Sequence, residues 1–327
     1  MNRAQIPKRP INFKTYKMKK LLIGLIVFAF AKAVTAQQDP QYSQYMYNPL
    51  VVNPAYAGNR GVTSIVGLHR SQWVGLDGAP RTQSISIHSP IQNSRVGLGL
   101  SVVNDALGPT DETYFAADFS YTIPVSYDGN LSLGLKGGAH VLNVDFQRLN
   151  ALDPDILLQN NIDNRLSPTV GVGAYYHTDK FYVGLSTPNL LKTEHFDPSN
   201  NNNSSTAIAT ERIHYFATAG YVFDLNDNIK FKPTTLVKAV AGSPLQVDVT
   251  ANFLINEKLT LGAAYRWSAA VTGLVGFQIS DQTMIGFAYD RETTELGNST
   301  YNDGSYELFI RFELFNRYSK LITPRFF

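Results

Sequence analysis

From about residue 61 onward, hydrophobic and polar residues alternate in short segments. In residues 259–267 the odd positions are Leu, Leu, Ala, Tyr and Trp, whereas the even positions are Thr, Gly, Ala and Arg; residues 306–314 repeat this pattern. Such alternation is typical of β-strands whose two faces meet different surroundings. Helical periodicity is nearly absent, which argues against folds in which strands and helices alternate. The pattern predicts about fourteen strands, which begin near residues 62, 81, 95, 113, 130, 167, 180, 211, 229, 245, 259, 270, 283 and 305.

The links between these strands differ in length in a regular way. Every second link is short and rich in turn residues: 91–94, 127–130, 177–180, 225–228, 256–258 and 280–282. The links between them include all the long ones: 104–112, 144–166, 189–211 and 290–304. Short turns on one rim and long loops on the other are typical of outer-membrane β-barrels, with the short turns in the periplasm. An even strand number returns both termini to the periplasm. A soluble β-sandwich is the alternative, but nothing in a sandwich forces this segregation.

The predicted inner face carries charges, which a sandwich core excludes. These residues are Lys136, Asp248, Arg266, Glu307, Arg311 and Glu313. Their mixed signs favour internal salt bridges over an ion-selective ring. The segments are near the roughly 9–11 residues that a tilted strand needs to cross a bilayer. Because unpaired backbone groups are costly in hydrocarbon, such strands must close into a ring. The fold class is therefore an all-β, transmembrane antiparallel β-barrel. Pro124, Pro188 and Pro233 interrupt strands, and each marks a rim, a bulge or a weak seam that could open laterally.

The N-terminus has the features of a secretory signal peptide. Met18-Lys-Lys precedes an apolar run over 21–31 and a small-residue cleavage site that leaves Gln37 as the mature N-terminus. Residues 1–36 hold 8 of the 28 basic residues and no acidic residue, so 20 basic and 26 acidic residues remain and the formal charge is −6. This balance gives no support to nucleic-acid binding. The absence of cysteine excludes disulfides, thiolate metal sites and a lipidated anchor.

Residues 37–60 lack alternation and contain four tyrosines and three prolines. We expect this segment to plug the lumen or to line its periplasmic edge. It either gates the barrel and contacts periplasmic secretion components, or it only fills a polar interior that otherwise carries water. Its candidate partner-binding residues are Tyr42, Tyr45, Tyr47, Asn48, Pro49, Asn53 and Pro54.

Several motifs spread over the mature chain resemble the PorP/SprF family of outer-membrane proteins. They are Gln38-Asp-Pro-Gln-Tyr-Ser-Gln-Tyr-Met-Tyr-Asn48, Asn53-Pro-Ala-Tyr-Ala-Gly58, His69-Arg-Ser-Gln-Trp73 with Gly78-Ala-Pro-Arg-Thr82, Gly97-Leu-Gly-Leu-Ser101 with Asn104-Asp105, Asp179-Lys-Phe-Tyr-Val-Gly-Leu-Ser-Thr-Pro188 and Thr323-Pro-Arg-Phe-Phe327. The resemblance implies a part in the type IX secretion system of Bacteroidota. Some members are core components, and others help to export or hold a cargo that carries a C-terminal sorting domain. The motifs do not choose between these roles.

Further candidate contacts lie outside the N-terminal segment. Loops 144–166 and 189–211 are the expected cargo contacts, because flexible loops on a rigid scaffold commonly carry binding; alternatively, they only cap the pore. The tail 316–327 could reach acidic periplasmic partners or simply be solvated. The single residues assigned to partner binding are Trp73, Asn200, Asn201, Asn202, Arg317 and Arg325. The six histidines show no metal spacing, and no catalytic or cofactor motif is recognisable.

These observations predict four regions: a leader and signal peptide (1–36), an N-terminal plug or periplasmic segment (37–60), the barrel (61–315) and a periplasmic tail (316–327). The expected function is export or surface anchoring of an adhesin or gliding-type protein. The expected partners are that cargo, other secretion components and membrane lipid, with no cofactor and no reaction catalysed. Two alternatives are a passive porin or hydrophobic-compound transporter, and a barrel enzyme that acts on lipid.

Overall fold

The computed structural model describes residues 40–148, 161–191, 194–196, 207–210 and 212–314, with backbone only for 194–196 and 207–210. The predicted leader and tail therefore lie outside the described residues. The strands are β1 (Thr63–Ser71), β2 (Arg81–Pro90), β3 (Val96–Leu107), β4 (Thr110–Pro124), β5 (Asn130–Val144), β6 (Ile162–His177), β7 (Phe181–Thr187), β8 (Glu194–Phe196), β9 (Ala207–Thr210), β10 (His214–Tyr221), β11 (Phe223–Asn226), β12 (Ile229–Val240), β13 (Gln246–Ile255), β14 (Leu259–Arg266), β15 (Ala270–Gln278), β16 (Thr283–Glu292) and β17 (Ser305–Leu314).

Fourteen antiparallel strands form a closed barrel, as predicted. Consecutive strands pair around the ring, β1 pairs with β17, and β10 pairs with both β7 and β12. β8 and β9 form a separate two-stranded sheet inside one link. β10 and β11 are two parts of one wall strand, interrupted at Val222 beside Pro233 of β12. Proline has no N–H to donate, which explains this interruption.

Most strand positions follow the sequence prediction, and one predicted loop is wrong. Eleven of the fourteen starts fall within one residue of the expected position, whereas β4, β6 and β10 begin at Thr110, Ile162 and His214. The region 104–112 is not a long loop, because β3 and β4 continue through it and leave only Gly108 and Pro109 as the link. Gly108 has a φ of 57°, which suits the first position of a two-residue hairpin turn.

All links longer than five residues lie on one rim, which also carries the short links 108–109, 241–245 and 267–269. The short-turn rim carries 91–95, 125–129, 178–180, 227–228, 256–258 and 279–282. The long-loop rim carries 72–80, 108–109, 145–161, 188–213, 241–245, 267–269 and 293–304. β1 begins and β17 ends at the short-turn rim.

The barrel wall is apolar outside and polar inside. On β5, for example, Leu133 and Leu135 are 48% and 58% exposed, whereas Ser132 and Lys136 are buried. Near the short-turn rim, consecutive outer aromatic rings contact one another with centroids 4.6–6.5 Å apart. These rings belong to Tyr176, Phe181, Tyr221, Phe223, Phe231 and Phe253. An apolar band edged by aromatic rings is the outer surface that a bilayer-spanning barrel requires. Among the described residues, no helix has the length and apolarity to cross a bilayer.

Candidate functional site: the plugged lumen

Residues 40–60, which we call the plug, lie inside the barrel and run along its axis. Gln41 accepts a hydrogen bond (3.0 Å) from Arg266, the last residue of β14 at the long-loop rim. At the other end Arg60 forms an ion pair with Glu313, next to the end of β17 at the short-turn rim. The plug therefore descends from the long-loop half of the lumen to the short-turn rim, where β1 begins. Pro40, its first described residue, lies in the half opposite to the predicted periplasmic edge.

A buried charge network holds the upper part of the plug, which is the part in the long-loop half of the lumen. The Glu307 carboxylate accepts the backbone N–H groups of Ser43 and Gln44, both at 2.8 Å. The Ser43 hydroxyl donates to Asp290 at 2.6 Å. Arg70 completes the network through ion pairs of 2.6 Å with Asp290 and 3.1 Å with Glu307. The side chains of Arg70, Asp290 and Glu307 are at most 1% exposed. Each of these charges therefore depends on the other two and on the plug for compensation.

The middle of the plug packs by aromatic contact. The Tyr45 hydroxyl is 2.9 Å from the Thr234 hydroxyl of β12. The Tyr47 ring stacks on Phe309 of β17, with centroids 4.4 Å apart. The Arg311 guanidinium lies 5.9 Å from the centroid of the Tyr47 ring, a cation–π distance. Rings from the plug and the wall thus fill the centre of the lumen.

The lower part of the plug is shaped by the sequence Asn53-Pro-Ala-Tyr-Ala-Gly58. Asn53 accepts the Ala55 N–H (3.0 Å) at the start of a short 3-10 helix and donates to the Ala174 carbonyl of β6 (3.1 Å). This helix lies directly on Gly134 of β5 and Gly173 of β6, which we call the glycine surface of the wall. A Cβ at Gly134 of β5 would come within 2.5 Å of Ala55 Cα and of the Pro54 carbonyl carbon. Only glycine permits this approach of two backbones.

A small cavity remains beside the upper plug. Its volume is about 100 Å³, and it is lined by plug residues such as Tyr42 and Val52 and by wall residues such as Lys136 and Phe216. Lys136 is paired with Asp118 at 2.9 Å. Each molecule of liquid water occupies about 30 Å³, so this space suits a few waters.

The structure places the sequence-predicted residues in three groups. Tyr42, Tyr45, Tyr47, Asn48, Asn53 and Pro54 are buried against the chain's own barrel, and Pro49 is half-buried, so in this state they do not face a partner protein. Trp73 is half-buried in link 72–80 and donates to Glu292 at 3.0 Å. The third group comprises Asn200, Asn201, Asn202, Arg317 and Arg325, which lie outside the described residues.

The prediction of internal salt bridges is confirmed. Asp248 pairs with Arg266 at 3.0 Å, Arg311 with Glu313 at 3.3 Å, and Lys136 and Glu307 with wall residues of opposite charge. Three further inward charges were not predicted, although each occupies an inward position of an alternating strand: Arg70, Asp118 and Asp290. Alternation combined with charge was the signal that could have found them.

The titratable groups do not form a metal cluster anywhere in the part of the chain that the structure describes. His140 lies 4.3 Å from Tyr114 in a parallel ring stack and 3.6 Å from Glu112. His88 accepts the Gly58 N–H at 3.2 Å, and His177 lies 2.7 Å from Asn59. These histidines are therefore packing and plug-contact residues.

Comparisons with known proteins give distant structural similarities and one family match. No curated protein matches the sequence. Among solved structures, the toluene transporter TbuX of Ralstonia pickettii is similar at a TM-score of 0.47 and 11% identity, covering 86% of this chain and 95% of its own. The monoaromatic hydrocarbon channel CymD has a TM-score of 0.47 and 10% identity, covering 84% and 94%. Omp33 of Acinetobacter baumannii has a TM-score of 0.45 and 11% identity, covering 77% and 99%. At these values the similarities do not bear on what this chain binds.

The family comparison is more specific. The family model described as "Type IX secretion system membrane protein PorP/SprF" matches residues 34–312, which include the plug and nearly the whole barrel. The match contains the Asn53–Gly58 turn over the glycine surface and every strand from β1 to β16. The chain belongs to the PorP/SprF family of type IX secretion system membrane proteins.

Proposed function

We propose that this protein is an outer-membrane component of type IX secretion that helps to export or anchor a cell-surface protein. The cargo is an adhesin or gliding-type protein with a C-terminal sorting domain, and the work is protein–protein recognition without a chemical step. The short-turn rim faces the periplasm in this proposal, and the long-loop rim faces outward. Other secretion components are the second class of partner.

The occupied lumen is the observation that carries this proposal. Withdrawing the plug would remove two hydrogen bonds from Glu307, and each bond to a charged group contributes about 1.5–3 kcal/mol. It would also leave buried charges without their polar neighbours. A barrel filled in this way is suited to hold a partner at its rim, whereas a conduit for a protein chain requires an empty lumen.

The long-loop rim offers a firm surface for such recognition. Links 72–80 and 293–304 are joined by hydrogen bonds from Val74 N to Gly304 O (2.9 Å) and from Asp303 N to Val74 O (2.8 Å). Trp73 has a φ of 48°, a conformation that costs energy in a bulky residue and persists only when its surroundings hold it. Tyr301, whose carbonyl lies against Gly75 of link 72–80, is 71% exposed. Exposed aromatic residues on rigid elements are the type that dominates binding energy at interfaces.

The decisive experiment is affinity purification of the tagged barrel from native membranes, followed by identification of what is retained. We expect a large secreted surface protein among the retained proteins, and less of it with Tyr301→Ala. Tyr127→Ala is the matched control, because Tyr127 is a fully exposed tyrosine on the opposite rim. Cargo recovery that is unchanged by Tyr301→Ala would remove this rim surface from the proposal.

Replacing loop 189–211 by a short Gly-Ser linker tests the second predicted contact. We expect a folded barrel with weaker cargo retention, because the replaced link lies on the same rim. Retention at the normal level would remove this loop from the proposal.

Deletion of the gene should remove one or a few large surface proteins from the cell envelope. Unchanged surface proteins and intact gliding would contradict the secretion role itself.

The alternative function, a passive porin or hydrophobic-compound transporter, predicts solute flux without any protein partner. Purified barrel in planar bilayers distinguishes the two functions. We expect little or no steady conductance, because the plug fills the lumen along its length. A large and stable conductance of the intact protein would favour the alternative.

A further inference from the structure

One sector of the barrel wall is weakly paired. β7 has seven residues, whereas its neighbour β6 has sixteen. β7 pairs through six residues with β6 and through six with β10. When β10 and β11 are counted as one wall strand, every other pair of neighbouring wall strands that the structure describes has more paired residues. Pro188 follows the last residue of β7, where proline cannot extend the ladder by donating a hydrogen bond.

The strands next to β7 extend this weak sector. β10 pairs with β12 through seven residues and is then interrupted at Val222, beside Pro233. Four adjacent wall strands, β6, β7, β10 and β12, therefore account for two of the three prolines that were expected to interrupt strands. Pro233 lies in β12, and Pro188 directly follows β7. The third, Pro124, is the last residue of β4 at the short-turn rim.

A groove lies on the outer face of the same four strands. Its volume is about 510 Å³, within the roughly 300–1,000 Å³ of small-ligand sites. Its lining includes three alanines at outward positions of β6, β10 and β12: Ala174, Ala217 and Ala239. Larger outward residues line it beside them: Val172, Leu185, Tyr215 and Val237. Small residues flanked by large ones leave a depression in the bilayer-facing surface.

Phe216 of β10 lies in the wall between this groove and the lumen. Its ring points inward and is 7% exposed, and the residue lines both the outer groove and the inner cavity. Inside, Phe216 belongs to the apolar cluster that contains Tyr42, Tyr45 and Val52 of the plug. The Ser186 hydroxyl of β7 donates to the Val52 carbonyl at 2.7 Å, so the plug also braces the short strand from within.

We propose that the groove over β7 is a binding site for one acyl chain of a membrane lipid. The occupant follows from position and chemistry. The groove is continuous with the outer apolar band, its lining is almost entirely hydrocarbon, and the molecules that surround this face in a bilayer are lipids. Burial of a chain in a preformed groove removes more apolar surface than contact with a flat wall.

The test uses vesicles of phosphatidylethanolamine and phosphatidylglycerol that contain a phospholipid with a photoreactive acyl chain. After illumination, the labelled positions are mapped by peptide mass spectrometry. We expect labelling concentrated on β7 and β10, several-fold above that of β14 on another part of the wall. Ala217→Phe, which fills the groove, should reduce this labelling several-fold. Ala263→Phe is the matched control, because Ala263 is an exposed outward alanine of β14.

A milder filling variant, Ala217→Leu, keeps the test valid if the larger side chain prevents folding. Even labelling over the outer face, or labelling unaffected by filling in folded protein, would overturn the acyl-chain site.

Discussion

The approach of the plug to the wall at Gly134 gives a sharp prediction. In Gly134→Ala, the added Cβ would come within 2.5 Å of Ala55 Cα and of the Pro54 carbonyl carbon. Ordinary contact of a Cβ begins near 3.4 Å, so plug and wall must separate by about 1 Å at this point. Both contacting groups are backbone, which cannot turn aside as a flexible side chain does. Overpacking of a well-packed interior typically costs about 1–3 kcal/mol.

Gly137→Ala on the same strand is the matched control. Gly137 faces outward, and an added Cβ there meets nothing within 4 Å. Replacing an unstrained glycine by alanine reduces the freedom of the unfolded chain and is expected to stabilise by about 0.4–1 kcal/mol. The two substitutions therefore have opposite expected signs at positions three residues apart.

The assay is urea unfolding of the refolded barrel in lipid vesicles, followed by electrophoretic mobility without heating. We expect a lower midpoint for Gly134→Ala and an equal or higher midpoint for Gly137→Ala. Bilayer conductance adds a second readout, because a displaced plug should open ion paths that the wild-type protein lacks. Equal stability and equal conductance of the two variants would refute the close seating of the plug on β5.

Three further predictions follow from the lumen and the rims. Glu307→Gln leaves Arg70 with only part of its buried countercharge and should lower the free energy of unfolding by about 3 kcal/mol, measured by the same urea assay; a loss below 1 kcal/mol would contradict the network. A unique cysteine at Asp77, on the long-loop rim, should react with an impermeant maleimide on intact cells, whereas one at Asp128, on the short-turn rim, should react only after permeabilisation; the reverse pattern would invert the proposed orientation. Deletion of residues 41–60 should convert a closed barrel into a conducting one, and closed channels after this deletion would show that other parts of the chain occlude the lumen.

The wall could be predicted from the sequence far better than the interior. Alternation is a local signal, because each residue of a strand shows by its own polarity which face it occupies, as in residues 259–267. The turn at Gly108 and Pro109 was missed because the strand ends around it are polar. Asn104 and Asp111, for example, pair with each other at 2.9 Å instead of marking a loop.

The plug shows where local reasoning stops. Its composition predicted that it fills the lumen or lines an edge, but no period indicates its direction or its contacts. Ser43 and Glu307, which hold its upper part, are 264 residues apart in sequence. The glycines that receive its lower part, such as Gly134, are also far from it in the sequence, and no pattern within the plug identifies them. Such pairings depend on how the ring closes, and a single sequence does not reveal that.

The buried network has a consequence for how the molecule is assembled. Its Glu307 comes from β17, the last wall strand to be synthesised, whereas Ser43 and Arg70 lie more than 230 residues earlier in the sequence. A chain that lacks β17 cannot close the ring, and it leaves the backbone N–H groups of Ser43 and Gln44 without their acceptor. The same late strand thus closes the seam of the barrel and completes the attachment of the segment at its centre.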